Sequence, residues 1–387
     1  MSNSRSPFMT HILRAATIRK LFFYAVLFSL AVLIMLSQNT TPKSKVRRKL
    51  YVRGRQPQNL PKISSKLKEC LKTLKMQNIT AANYSQEQVP LKDPRTVRSW
   101  QELRDIVSKM LHLETTIAVR RSITNPNDNF PQNFWSPGVA LPGCLRKFYD
   151  ELYYTLQQQT SCALVGNGGI LNNSHCGSAI DGHDFVMRVN LPEITGYEDD
   201  VGQKTNLTAI NNIVGLVLNR QVGNMKKFPA QQALRTLASL NNSVVWFSYN
   251  MSYTGAKIMK GSWSRFQAVL KRTKLERHDM TYKVAYSPIP VWPQMMTRLW
   301  NKTTNSEGFL LLTVSALFCQ ELTLYGFWPF PQDSRGNYLP HHYYEEGDYN
   351  FTHRNTIPEE FEILQNFNRS NVIRLVSDKC TERNEAR

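Results

Sequence analysis

The 387 residues allow one large domain or two small ones, with ample chain to bury a hydrophobic core. The chain carries 48 basic and 29 acidic residues, and its net charge of +19 would by itself suggest a protein that binds nucleic acid. We exclude nucleic acid as a partner, because seven of the basic residues crowd into residues 43–55, the others are scattered, and no nucleic-acid-binding motif occurs.

Residues 21–36 form an apolar run, and no charged residue occurs from residue 21 to residue 42. The run is short for a bilayer span, which usually takes ~20 residues, but a thin secretory-pathway membrane tolerates it. A cleaved signal peptide is the alternative, although twenty residues precede the run and no small-residue cleavage site follows it. We predict a cytosolic tail at residues 1–20 and a transmembrane signal anchor at residues 21–37.

All six cysteines follow the predicted span, as do ten N-glycosylation sequons. An even number of cysteines on one side of a membrane suits an oxidising lumen. Because basic residues flank the span on both sides, these two features decide the orientation, and we predict a type II protein with a lumenal main part. The spacing of the cysteines leaves their pairing open. The sequons are at Asn39, Asn78, Asn83, Asn172, Asn206, Asn241, Asn250, Asn301, Asn350 and Asn368.

After the span the chain is polar and basic, with few large apolar residues, until about residue 92. We predict a lumenal stem over residues 38–95. A helix is predicted to begin after Ser99, with Ser99 as its cap and the carboxylate of Glu102 reaching back. Apolar residues at helical spacing follow from Trp100 to Leu111. The folded domain is therefore predicted to occupy residues 96–387.

Short β-like apolar runs alternate with helical segments such as residues 308–319 in the rest of the chain. This alternation predicts a single Rossmann-like α/β domain, with a mostly parallel twisted sheet between helices. The predicted strands are residues 162–165, 185–189, 207–210, 243–247, 282–286 and 322–326.

The turn Gly166–Gly169 directly follows the first of these strands. Glycine lets a backbone approach a ligand closely, and ligands of open α/β sheets bind beyond the carboxyl ends of the strands. A dinucleotide is not the expected ligand, because Leu171 stands where the third glycine of that fingerprint belongs. Asn190 ends the next predicted strand and is expected at the same edge of the sheet.

Residues 162–192, CALVGNGGILNNSHCGSAIDGHDFVMRVNLP, closely resemble the large motif of the animal sialyltransferases, glycosyltransferase family 29, and the GNGGIL pattern looks like the α2,8 branch. Residues 306–330 resemble the small motif of that family, residues 342–345 the third motif, and residues 353–361 the last one. The resemblance covers roughly residues 140–382, with the motifs in the right order and spacing.

The resemblance implies the variant GT-A fold of sialyltransferases and an enzyme of the Golgi membrane. It implies transfer of sialic acid from CMP-sialic acid to a terminal sialic acid on a glycolipid or glycoprotein, with inversion. A homodimer is left open. Metal-independent chemistry without a cofactor is also implied, and no Asp-x-Asp, the usual metal motif of glycosyltransferases, occurs in the chain.

The resemblance also implies disulfides that join Cys162 to Cys319 and Cys176 to Cys380, which leaves Cys70 and Cys144. Residues implied to bind the nucleotide-sugar donor are Asn167, Asn190, Ser306, Glu307, Gly308, Trp328, His341 and His342. Glu307 departs from the family, which usually has Ser or Thr before this glycine. An acid beside a doubly anionic donor is unfavourable unless it points away.

The general base is predicted to be His353, since an imidazole titrates near working pH. The family places its catalytic His three residues before a proline, and alignment on Pro358 puts Asn355 at that position. An amide cannot act as a base, whereas His353 stands two residues earlier. The alternative is a catalytically impaired homologue that binds CMP-sialic acid or sialoglycans.

Overall fold

The computed structural model describes residues 93–121, 153–211, 240–248, 281–287, 292–302, 305–345 and 357–380, and the single residues 69, 150 and 237. The chain divides into two units after Asn59, and all described residues lie in the second unit, Leu60–Arg387. The predicted span at residues 21–37 lies outside the described residues. No helix within the described ranges is long and apolar enough to cross a membrane.

Nine strands form one sheet in the described ranges: β1 (Ala118–Arg120), β2 (Tyr153–Tyr154), β3 (Gln159–Val165), β4 (Phe185–Val189), β5 (Leu207–Ile210), β6 (Ser243–Phe247), β7 (Tyr282–Tyr286), β8 (Cys319–Tyr325) and β9 (Arg374–Val376). The α-helices described are α1 (Trp100–Met110), α2 (Leu113–Thr116), α3 (Gly177–Asp181), α4 (Glu198–Val201), α5 (Trp292–Trp300), α6 (Glu307–Ser315) and α7 (Ile357–Arg369). Short 3-10 turns lie at Pro94–Thr96 and Gly169–Leu171.

The strands lie side by side in the order β2-β1-β7-β6-β5-β4-β3-β8-β9. Strands β3 to β9 are parallel, and β1 is antiparallel to both of its neighbours. The chain runs outward from β3 through β4 to β7, then returns to place β8 on the other side of β3. This reversal is a topological switch point, where a crevice for ligands forms beyond the carboxyl ends of the strands. The predicted mostly parallel sheet is confirmed.

Alternate residues of the central strands point into two separate cores. Leu164 and Met187 belong to a core shared with α1, α6 and α7. Val165 and Val186, their neighbours in the chain, belong to a second core shared with α3 and α4. Because helices cover both faces, every residue of β4 is buried, which is typical of parallel sheets.

Helix α1 begins where the sequence predicts. The hydroxyl of Ser99 accepts a hydrogen bond from Glu102 N–H at 3.1 Å, whereas the Glu102 carboxylate accepts from Arg98 N–H rather than from the cap residue. The Trp100 indole N–H donates to Cys319 O at 2.9 Å and so ties the helix to the start of β8.

Both disulfides implied by the resemblance are present in the structure. Cys162 on β3 is bonded to Cys319 at the start of β8, so the two strands beside the switch point are joined covalently. Cys176, just before α3, is bonded to Cys380. The N–H of Cys380 also donates to Ser174 O at 2.9 Å, which holds the C-terminal segment beside the β3–α3 connection. Cys70 and Cys144 lie outside the described residues.

Candidate active site

The glycine turn after β3 lies against the turn after β8. The N–H of Gly166 donates to Tyr325 O at 2.8 Å, and the N–H of Gly168 donates to Gly326 O at 3.0 Å. A Cβ atom on Gly168 would lie only 2.6 Å from the Gly326 oxygen, and Gly326 itself has a φ of +75°. The glycines that the sequence analysis assigned to close ligand approach therefore allow two turns of the protein to meet.

Two asparagines follow the neighbouring strands at this edge. The Asn167 side chain donates to Val189 O at 3.0 Å, and its backbone oxygen accepts from Tyr343 N–H at 3.0 Å. Asn190 has a left-handed φ of +59°, which asparagine tolerates, and its side-chain oxygen accepts from Asn211 N–H at 3.1 Å. The two residues therefore tie together the ends of β3, β4 and β5.

A loop carrying two histidines closes one side of the glycine turn. The N–H of Gly169 donates to His341 O at 3.3 Å, and His342 forms a β-bridge with the turn. The Nδ1 atom of His342 lies 2.7 Å from a carboxylate oxygen of Glu345, and its ring stacks on Tyr344. Burial, and secondarily the adjacent His342, lower the pKa of His341.

The start of α6 lies close to the same turn. A Cβ atom on Gly308 would lie 2.6 Å from the Phe327 ring, and one on Gly166 would lie 3.3 Å from that ring. The first turn of α6 and the glycine turn are therefore separated by one aromatic ring. The N–H of Ser306, the cap residue, donates to the Glu360 carboxylate on α7 at 2.8 Å. Burial raises the pKa of Glu360, and the Ser306 hydrogen bonds oppose the rise.

Glu307 is the first residue of α6, and its side chain is buried. Burial raises the pKa of the Glu307 carboxyl to about 7, an effect opposed by the hydroxyl of Ser248 at the end of β6. Although Ser248 lies close enough to act on the carboxyl, neither its hydroxyl nor Glu307 Oε1 has a hydrogen-bond partner of standard geometry.

The side-chain oxygens of Asn167 and Asn305 are buried and lack partners as well. Five buried side-chain polar atoms lack partners within the described residues, and four of them belong to residues at this edge. Buried polar atoms in native proteins are rarely left without a partner, so these atoms make the edge a candidate site for a polar ligand.

Trp328 is half-buried beside this site. Its indole N–H donates to Gln332 O at 2.8 Å, which closes its own loop. Its ring packs edge-to-face against Phe330 and against Phe361 of α7, with centroids 5.2 and 5.3 Å away. The backbone of Trp328 runs along the glycine turn, while the side chain joins an aromatic cluster with α7.

His353 lies in residues 346–356, outside the described residues. Both flanking segments contact the site. Glu345 binds His342 on one side, and Glu360 accepts from the helix cap Ser306 on the other.

Three further residues of this edge were missed in the sequence analysis. The sequence does contain a signal for Glu345, because this acid follows His342 by three residues within the third motif and could bind its ring. No sequence signal marks Glu360 or Ser248, because their contacts with the start of α6 depend on how α7 and β6 are placed beside that helix.

The model of glycosyltransferase family 29 (sialyltransferase) matches residues 145–372. The α-N-acetylneuraminide α-2,8-sialyltransferase of Xenopus laevis is 30% identical over 271 residues, which cover 67% of this chain and 71% of the relative. Its counterpart in Xenopus tropicalis is 28% identical over 271 residues, which cover 67% and 74%. The sheet with its carboxyl-edge site therefore belongs to a glycosyltransferase. The chain is a member of glycosyltransferase family 29, the sialyltransferases.

Two solved structures are similar to parts of this chain. A mammalian sialyltransferase in complex with Gal-beta-1-3GalNAc-ortho-nitrophenol is 22% identical, with a TM-score of 0.36 over 57% of this chain and 70% of that one. Another mammalian sialyltransferase structure is 17% identical, with a TM-score of 0.36 over 83% of this chain and 96% of that one.

Proposed function

We propose that this chain transfers sialic acid from CMP-sialic acid to the 8-hydroxyl of a terminal sialic acid on a glycolipid or glycoprotein glycan. The linkage is supported by the two Xenopus relatives, both named α-2,8-sialyltransferases. The observation that carries the nucleotide-sugar site is the set of buried oxygens without partners along the sheet edge, since a polar donor would satisfy them.

In the proposed reaction, the acceptor oxygen attacks the anomeric carbon of the donor from the face opposite the phosphate, so the configuration inverts. The bond from that carbon to the phosphate oxygen breaks, and its electron pair leaves with CMP. The acceptor hydroxyl proton passes to the imidazole of His353. His342, oriented by Glu345, donates a hydrogen bond to the departing phosphate. The remaining residues proposed to contact the donor are Asn167, Asn190, Ser306, Glu307, Gly308, Trp328 and His341.

The test of the base measures sialic acid transfer and CMP binding by the full-length protein in detergent. His353→Ala is expected to abolish transfer to a sialylated acceptor while the dissociation constant of CMP stays within twofold, because a base acts on the acceptor. Asn355→Ala is the matched control and is expected to leave transfer unchanged. Undiminished transfer by His353→Ala would refute the assignment, and recovery in His353→Ala/Asn355→His would place the base at residue 355.

A second function is favoured by one observation, the amide of Asn355 at the position of the family's catalytic His. A non-catalytic homologue would bind CMP or sialoglycans without turning the donor over. CMP release from CMP-sialic acid, with and without a sialylated acceptor, separates the two functions. Release of CMP that depends on the acceptor would establish the transferase. Binding of CMP-sialic acid with no release of CMP, whether or not the acceptor is present, would establish the non-catalytic homologue.

We propose a type II protein of the Golgi membrane, anchored at residues 21–37, with the stem at residues 38–95 and the catalytic domain at residues 96–387 in the lumen. The two disulfides of the described residues support an oxidising compartment. Protease treatment of intact microsomes is expected to spare the chain beyond residue 38 and to remove an epitope fused to Met1. We also propose that transfer needs no metal, so activity should survive EDTA.

A further inference from the structure

Glu307 occupies an unusual position for an acid. An acidic residue in the first turn of a helix is normally exposed, where its negative charge is stabilised by the helix dipole. Glu307 opens the nine-residue helix α6, yet its residue surface is only 6% exposed and its Oε1 atom has no hydrogen-bond partner. Among the described residues, the group that acts on this carboxyl is the Ser248 hydroxyl, which carries no charge.

An ionised carboxylate here would oppose the proposed reaction. The proposed donor carries a phosphate and a carboxylate, and buried like charges repel strongly because little water screens them. A neutral carboxylic acid behaves differently, since its O–H can donate a strong hydrogen bond to an anionic oxygen. Enzymes do keep buried acids neutral for this purpose. The backbone N–H groups of a helix N-terminus also favour phosphate.

We propose that Glu307 binds the phosphate of the nucleotide donor as a neutral carboxylic acid, donating its O–H to a phosphate oxygen, so that the site loses affinity for phosphorylated nucleotide when Glu307 ionises. This inference rests on the proposed function, because it takes the donor to be a cytidine monophosphate sugar. It gives a physical role to the residue at which the chain departs from the Ser or Thr usual in its family.

The protonation state follows from the surroundings of the carboxyl. Burial raises the pKa of Glu307 to about 7, so the acid loses its proton near neutral pH. The Glu360 carboxylate on α7 accepts from the N–H of Ser306, beside Glu307. Further titratable or charged groups lie on α7, on the segment after α5 and on the histidine loop. These further groups are Glu359 paired with Lys302, His341, and His342 paired with Glu345. All of these groups are present both in the wild type and in a Glu307 variant, so a comparison of the two isolates Glu307.

The experiment measures the dissociation constant of CMP by calorimetry, with the full-length protein in detergent at pH 6 and pH 8. The protonated fraction of an acid with a pKa of about 7 falls roughly tenfold between these values. Wild-type affinity for CMP should therefore fall about tenfold more than that of Glu307→Gln, whose amide donates at both pH values. Any titration of CMP itself is common to both proteins. Glu321→Gln, which removes an exposed acid on β8, is the control and should follow the wild type.

Cytidine, which lacks the phosphate, provides the second arm. With cytidine, the ratio of wild-type to Glu307→Gln affinity should not change with pH, and a change like that seen with CMP would overturn the phosphate assignment. Glu307→Thr restores a hydroxyl that does not titrate, so its CMP affinity should change with pH as that of Glu307→Gln does, and it serves if the Gln variant does not fold. Parallel loss of CMP affinity in wild type and variants would overturn the inference alone. Absence of CMP binding by folded wild type at both pH values would overturn the proposed donor, and the inference with it.

Discussion

Replacement of Gly169 by Ala is expected to displace the loop that carries the two site histidines. The added Cβ atom would lie 1.8 Å from the backbone oxygen of Pro340 and 2.8 Å from its carbonyl carbon, whereas real Cβ atoms do not approach other atoms within 3.0 Å. The loop would therefore have to withdraw by more than an ångström. Because His341 and His342 directly follow Pro340, the withdrawal moves both of them away from the glycine turn.

Two quantities follow from this displacement. Forced overpacking of this kind costs about 1–3 kcal/mol of unfolding free energy, because backbone atoms and not a flexible side chain must yield. A misplacement of about 1 Å at a reacting centre lowers turnover by about 100-fold. We expect Gly169→Ala to show both effects, with urea unfolding monitored by tryptophan fluorescence and transfer measured by CMP release.

Gly182→Ala is the matched control. A Cβ atom at Gly182 meets no atom closer than 3.5 Å, and the φ of −70° there suits alanine. This variant should keep wild-type turnover and change the unfolding free energy by less than about 0.5 kcal/mol. If Gly169→Ala matched Gly182→Ala in both stability and turnover, the account of how the histidine loop is held against the glycine turn would be refuted.

Three further predictions concern stability and the site. Since burial raises the pKa of Glu307 from 4.5 to about 7, the folded state binds this proton more tightly than the unfolded chain, and stability should fall by about 3 kcal/mol as pH rises from 4.5 to 7. Urea unfolding of Glu307→Gln at pH 4.5 and 7.5 should lack this fall, and equal pH dependence in both proteins would contradict it. The Cys162→Ala/Cys319→Ala pair should lose about 2–5 kcal/mol of unfolding free energy without reductant, because the bond joins positions 157 residues apart; an unchanged urea midpoint would argue against this. Glu345→Gln should lower kcat about tenfold, with the KM for CMP-sialic acid nearly constant, because His342 loses a charge-assisted hydrogen bond. Initial rates test this, with Glu321→Gln as control, and an unchanged kcat would remove Glu345 from the site.

Six of the nine described strands, β3 to β8, could be predicted because each is a short apolar run bounded by turn residues, and β4 occupies the predicted residues 185–189. The short strands β1, β2 and β9 were not predicted. The end of α6 could not be predicted. The sequence predicts a helix that continues to residue 319, whereas α6 ends at Ser315 and β8 begins at Cys319. Nearly all residues from α6 to Cys319 are buried, so the apolar pattern runs through the boundary without a change of period. The pairing of β8 with β3 begins at Cys319.

The candidate site also has a part that could be predicted from the sequence and a part that could not. Asn167 and Asn190 could be placed at one edge from sequence, since each follows a strand of a parallel sheet and the carboxyl ends of such strands meet there. The sequence also marked Glu307 as an acid in conflict with an anionic donor, but it left the direction of the side chain undecided. Local periodicity reports on neighbours a few residues apart. The burial of Glu307 depends on the packing of α6 against the sheet, so the tertiary structure alone decided that this acid is buried and that its pKa rises to about 7.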